Sequence, residues 1–120
     1  MENAMILYVG KHEAGVAFAQ RIEASGGFVY LPESLMQALG MYITYLPQVT
    51  VIDMALDYAQ DVYDHLRSVD ARPLLLLSDQ RVRAASVYTL PSQISAEALH
   101  DVLERFGDPQ TVPNGVYHTA

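Results

Sequence analysis

Five short apolar runs, spaced evenly and separated by helical patterns, constrain the fold of this 120-residue chain more than any other feature. The runs are Met5-Ile6-Leu7-Tyr8-Val9, Gly27-Phe28-Val29-Tyr30-Leu31, Val49-Thr50-Val51-Ile52, Leu74-Leu75-Leu76-Leu77 and Ser86-Val87-Tyr88-Thr89-Leu90. Most are continuously apolar and do not alternate with polar residues. A strand reads that way when both faces of its sheet are covered, as in a parallel sheet between two layers of helices.

The segments between the runs supply those helices. From Glu13 to Ala24, residues Val16, Ala17, Ala19 (or Gln20) and Ile22 recur near a 3.6-residue period, and Gly26-Gly27 provides the stop. Ser34 is placed to cap a helix over Leu35 to Tyr45, which Pro47 ends. Asp57 to Val69 carries Ala59, Val62, Tyr63, Leu66 and Val69 on one stripe. Ser95-Ala96-Glu97-Ala98 resembles a capping box and opens a last helix with Leu99, Val102, Leu103 and Phe106 on its buried face. Alternating strands and helices with short loops predict right-handed crossovers. The expected fold is α/β, a doubly wound five-stranded parallel sheet of order 2-1-3-4-5. One domain is expected over 1–107, with 108–120 as a loose tail draped on the surface.

Composition narrows the function classes. Hydrophobic residues make up 51 % and charged residues 18 %, which suits a packed globule. The net charge is -7, with Lys11 the single lysine, so phosphate backbones and anionic membranes are disfavoured as partners. The absence of cysteine removes disulfides, thiolate metal sites and cysteine nucleophiles. The N-terminus lacks the pattern of a signal peptide and no apolar run is long enough to span a bilayer, so a cytoplasmic protein is expected.

The element order, the apolar third strand ending in Asp53, Ser78 after the fourth strand and Leu90-Pro91 before the last helix together resemble the receiver domain of response regulators in two-component signalling. The resemblance covers about residues 5 to 106. It implies a flavodoxin-like sheet with Asp53 at the phospho-acceptor position, Ser78 at the place of the Ser/Thr that contacts the phosphoryl group, and Leu90 at the place of a lysine. In receivers the first strand ends in an acidic pair that holds Mg²⁺, because phosphoryl transfer to a carboxylate needs a hard cation held by oxygen ligands. Here those positions are Gly10 and Lys11. The interval from Ser78 to Leu90 is also too short for a full crossover helix and a strand, so the helix between strands 4 and 5 is expected to be shortened or lost. The resemblance is therefore to a degenerate, pseudo-receiver form. Lys11 either pairs with Asp53 and holds the site in one fixed state or lies solvated at its loop.

Other constellations are weaker. The Gly10-Lys11-His12-Glu13-Ala14-Gly15 loop resembles the Asp-x-His-x-x-Gly loop of cobalamin-binding domains, but the aspartate is missing, so His12 reads as an exposed loop histidine. Asp57, Asp61 and Asp64 share helical spacing and read as a solvated acidic face near a helix start. No cofactor and no metal site is expected. The helix from Leu35 to Pro47 carries no charge and has apolar character on more than one side. Such a helix is deeply buried or half of an interface. An association surface of Leu35, Met36, Met41, Tyr42 and Tyr45, used by a homodimer, is the preferred reading.

The sequence thus predicts a non-enzymatic receiver-like signalling or regulatory module that acts through protein–protein contacts without phosphorylation. One alternative is a phospho-accepting response regulator using Asp53 with Glu13 or Asp79 as helpers. Another is a small-ligand-binding domain at the carboxyl edge of the sheet, around Gly10, His12, Asp53 and Ser78.

Overall fold

Each apolar run becomes a strand, and the strands lie side by side in a sheet that buries both faces. In a computed structural model, which describes residues 3–70, 72–106 and 117–118, they are β1 (Met5–Val9), β2 (Phe28–Tyr30), β3 (Val49–Asp53), β4 (Leu74–Leu77) and β5 (Val87–Leu90). They pair in parallel in the order β2-β1-β3-β4-β5, the expected doubly wound arrangement. A sixth strand, β6 (Tyr117–His118), adds antiparallel to β5, with Thr89 opposite Tyr117. Those two residues were expected in a loose tail; backbone pairing with the edge of β5 holds them instead. Residue 107, residues 108–116 and 119–120 of that tail, and the Phe106 side chain lie outside the described residues.

Alternation along each strand sorts the core into two clusters. Ile6, Tyr8, Val51, Leu75 and Leu77 face α1 (His12–Ala24) and α4 (Ala96–Phe106), where Phe18, Ile22, Leu99 and Leu103 meet them. Leu7, Val9, Ile52, Leu74, Leu76 and Val87 face α2 (Leu35–Tyr45) and α3 (Ala59–Val69), against Ala38, Tyr42, Val62 and Leu66. The caps act as the sequence indicates. Ser34 Oγ accepts from the Gln37 N–H at 3.1 Å, and Ser95 Oγ from the Ala98 N–H at 3.1 Å. Gly26, at φ 91°, closes α1, where the Gly27 N–H reaches back to the Ile22 carbonyl.

Three local expectations are corrected. The buried face of α1 is Gly15, Phe18, Ala19 and Ile22, while Val16 is half-buried and Ala17 exposed. Both sets satisfy a 3.6 period, and the bulk of Phe18 together with the close approach at Gly15 selects the first. A Cβ at Gly15 would lie 2.7 Å from Leu31 Cδ2 and 3.1 Å from the Tyr8 ring. Val69 is exposed, because Asp70 ends α3 beside it and the chain turns toward β4. Asp57 precedes α3 and does not share a helical face with Asp61 and Asp64.

No helix forms between β4 and β5, as the short interval requires. The connection instead packs Val82 and Ala84 against the α2/α3 cluster and is pinned by the Arg67 guanidinium, which donates to the Ala85 carbonyl at 2.6 Å.

One polar group sits badly in this core. Thr50, the second residue of β3, is 1 % exposed, and its hydroxyl has no hydrogen-bond partner. Thr50→Val keeps the shape and removes the unmet hydroxyl, so it is expected to stabilise the protein by about 1 kcal/mol. A melting temperature raised by roughly 4 °C would show this, and an unchanged or lowered one would contradict it.

Candidate functional site

At the carboxyl edge of the sheet, where open α/β sheets place their ligands, the ends of β1, β3 and β4 surround a cavity of about 610 Å³. Asp53, Lys11 and Ser78, three of the five positions singled out from the sequence, line it together. Gly10 adjoins it and Leu90 does not reach it.

Asp53 is the last residue of β3 and is only 8 % exposed. Its Oδ1 accepts from the Ala55 N–H at 3.0 Å, a turn that holds the carboxylate over the loop. Lys11 stands at the same rim and forms no ion pair among the described residues, so of the two readings of this lysine the Asp53–Lys11 bridge is not made. Ser78 receives its position from β4. Its N–H donates to the Leu90 carbonyl at 2.9 Å, while its hydroxyl accepts from the Gln80 N–H at 3.0 Å. Leu90, 4 % exposed, turns into the α1/α4 cluster and contributes apolar packing where the resemblance would place a cation.

Gly10 is explained by its neighbour Tyr8. A Cβ built on Gly10 would lie 2.5 Å from Tyr8 Cε1 and 2.9 Å from Cζ. The Tyr8 ring cannot swing clear at low cost, because it is 4 % exposed and packs on Phe18 with ring centroids 5.5 Å apart. An aromatic ring thus fills the space that a side chain at position 10 would need. Burial, reinforced by the nearby Asp53 charge, pushes the Tyr8 hydroxyl up to about 12, so it stays neutral at ordinary pH. Tyr8 reads as an ordinary core residue in its strand, and nothing in the sequence signals this role.

The two alternative helpers separate. Asp79 lines the cavity, where its carboxylate accepts from the Ser92 hydroxyl at 2.7 Å. Glu13 and His12 lie exposed on the first turn of α1 and do not line it. Gln60, from the start of α3, and Ser92 and Gln93, from the turn before α4, add further polar groups to the wall. Among the described residues no three His, Asp or Glu side chains converge as a metal site would require.

The second candidate surface, α2, divides differently from expectation. Tyr42 is 1 % exposed and belongs to the core, because its hydroxyl finds an acceptor in the half-buried Asp70. Leu35 and Met41 are half-buried against the α2/α3 cluster. Met36 is 78 % exposed and Tyr45 40 %, and Ile43 and Leu46 beside them are equally open. Tyr45 stacks on Tyr30 of the edge strand β2, 4.1 Å between parallel rings, so the exposed face of α2 continues onto that edge.

No family model matches the chain, and a search of the curated proteins finds no match. Solved structures do resemble it. The NMR structure of the pseudo-receiver domain of the CikA protein is 19 % identical, covers 89 % of this chain and 98 % of its own, and superimposes with a TM-score of 0.59. A structure described as a yeast Spc42 trimeric coiled-coil segment fused to another structure is 13 % identical, covers 87 % of this chain and 75 % of its own, and has a TM-score of 0.70. At these identities the likeness concerns fold. Together with the 2-1-3-4-5 parallel sheet it establishes a pseudo-receiver fold for this chain. No helix among the described residues is long and apolar enough to cross a membrane.

Proposed function

We propose that the chain is a non-catalytic, receiver-like signalling module that works through protein–protein contacts and is not switched by phosphorylation. The observation that carries this reading is the Tyr8 ring over Gly10. Phosphoryl transfer to a carboxylate gathers negative charge that a metal ion and a lysine would have to neutralise. Tyr8 occupies the space that a side chain at position 10 would need, Lys11 stands where a receiver has a carboxylate, and Leu90 is packed into the core. Restoring an acidic residue at position 10 alone would drive it into a buried ring.

Incubation with acetyl phosphate and Mg²⁺, followed by intact mass measurement, tests this reading. The unmodified mass is expected. A phosphoryl adduct that disappears in Asp53→Asn would overturn the reading and favour the alternative in which Asp79 assists Asp53.

The contact surface in this proposal is the outer face of α2, and its partner is a second copy of the chain. A chain of net charge -7 repels its own copy except where charge is lacking, and α2 carries none. Its exposed apolar side chains Met36 and Ile43 lie one turn to either side of Gly40, where an added Cβ would meet nothing within 4 Å. That profile of large, small and large residues suits an antiparallel helix pair in which Met36 and Ile43 of each copy settle over the other's Gly40. Sedimentation should show a concentration-dependent dimer that Ile43→Asp reduces to monomer. A wild-type chain that stays monomeric at high concentration would remove the proposal.

A further inference from the structure

We propose that the cavity at the carboxyl edge is a binding site for a small organic cation, an ammonium or guanidinium group that pairs with Asp53. This proposal rests on the reading that Asp53 is not a phospho-acceptor, and it assigns the carboxylate a different use.

A carboxylate withdrawn from water is stable only when a cation or several donors balance it. Asp53 is 8 % exposed and faces the cavity, yet its one hydrogen bond is the Ala55 N–H on Oδ1. Among the described residues its Oδ2 has no hydrogen-bond partner and the side chain has no ion pair. Oδ2 is also not sealed off, since the fully enclosed unpartnered side-chain atom among the described residues is the Thr50 hydroxyl. Oδ2 is thus open to a cation that enters from outside, through a cavity whose 610 Å³ lies within the range that holds small ligands.

The rest of the wall decides the class. A hard divalent cation asks for six or more oxygen ligands, and the cavity offers two carboxylates with Lys11 at its rim. An ammonium or guanidinium group needs fewer, more directional acceptors, and Asp53, Asp79, Gln60 and Ser92 present them from four different segments. Tyr8, which also lines the cavity, stays neutral and adds no charge to the wall. Lys11 opposes the ligand charge and so limits affinity.

Isothermal titration of the full chain with agmatine, in the presence of a metal chelator, tests the proposal. Saturable binding is expected, weakened at least tenfold by Asp53→Asn and tightened by Lys11→Ala. Asp61→Asn, an exposed carboxylate on α3 outside the cavity, should leave it unchanged. Should Asp53→Asn not fold, Ala14→Arg serves in its place. Ala14 lines the rim, and an arginine there would offer Asp53 an internal guanidinium and exclude agmatine. No saturable binding, or equal loss with Asp53→Asn and Asp61→Asn, overturns the proposal. The phosphodonor experiment on the same samples separates the two readings. An unmodified mass without agmatine binding sinks this proposal alone, whereas a phosphoryl adduct on Asp53 sinks both.

Discussion

Phe18→Ala is expected to destabilise the protein by about 3–5 kcal/mol, enough to leave a domain of ordinary stability largely unfolded. Phe18 is wholly buried at the centre of the α1/α4 cluster and supports the Tyr8 ring. Truncation removes its transfer free energy and leaves a cavity that β1, α1 and α4 cannot close, since each is held by further contacts. The exposed neighbour Ala17 provides the contrast, because Ala17→Ser should change stability by less than about 0.5 kcal/mol. Urea unfolding followed by circular dichroism measures both. If Ala17→Ser proved the costly change and Phe18→Ala the mild one, α1 would present the other face to the sheet. Because Tyr8 leans on Phe18, the variant should also loosen the ring over Gly10 and disturb the Asp53 cavity.

Asp70→Ala is expected to cost about 2–3 kcal/mol and to remove part of the protein's sensitivity to acid. Asp70 joins three segments. Its Oδ1 accepts from the Tyr42 hydroxyl at 2.5 Å and from the Arg72 N–H at 3.1 Å, and its Oδ2 meets the Arg72 guanidinium at 2.7 Å. The guanidinium also lies 4.9 Å over the Tyr42 ring. The ion pair itself contributes little, because Asp70 and Arg72 are 29 % and 31 % exposed and water screens them. Most of the cost is the Tyr42 hydroxyl left in the core without an acceptor. Tyr42→Phe should therefore relieve the Asp70→Ala defect, and a double variant no better than the sum of its parts would refute the coupling.

The pH dependence follows from the same cluster. Burial works against the Asp70 charge, but the hydrogen bonds from Tyr42 and Arg72 outweigh it and hold the carboxyl below its ordinary value. A native pKa below the unfolded value of about 3.9 means the unfolded chain binds the proton first. The Asp70 contribution is therefore complete above about pH 4 and is lost as pH falls through the native value. At the alkaline end Tyr42 and Tyr8 are both raised, chiefly by burial, so their contribution is present below about pH 10 and fades above it. Stability curves of wild type and Asp70→Ala should draw closer in acid and separate toward neutrality, with a gap left in acid by the unpaired Tyr42 hydroxyl. Parallel curves throughout would show that Asp70 does not carry the effect.

Much of this fold is legible along the chain. The apolar runs, Ser34 and Ser95 as caps, Gly26 as a stop and the short interval after Ser78 each signal through a few neighbouring residues. The residue types Gly10, Lys11 and Leu90 at the ends of recognisable strands are legible in the same way. The errors fall where two readings satisfy one local pattern. The α1 helix has two stripes of equal period, and only the Tyr8 and Leu31 surfaces choose Phe18 over Val16 and Ala17. Tyr42 belongs to a helix apolar on several sides, and its burial depends on Asp70, 28 residues away in sequence.

What the sequence by itself determined is the α/β architecture, the order of its strands and the position of Asp53 at the end of β3. Periodicity, capping and strand length are properties of adjacent residues, so no knowledge of the packing is needed to read them. Only the tertiary structure decided that Tyr8 closes the space at Gly10, that Lys11 leaves Asp53 unpaired, and that Gln60, Asp79 and Ser92 meet across one cavity. Those relations join side chains from different elements. They are set by sheet register and by which helix face packs inward, and neither is written in any single stretch of the chain.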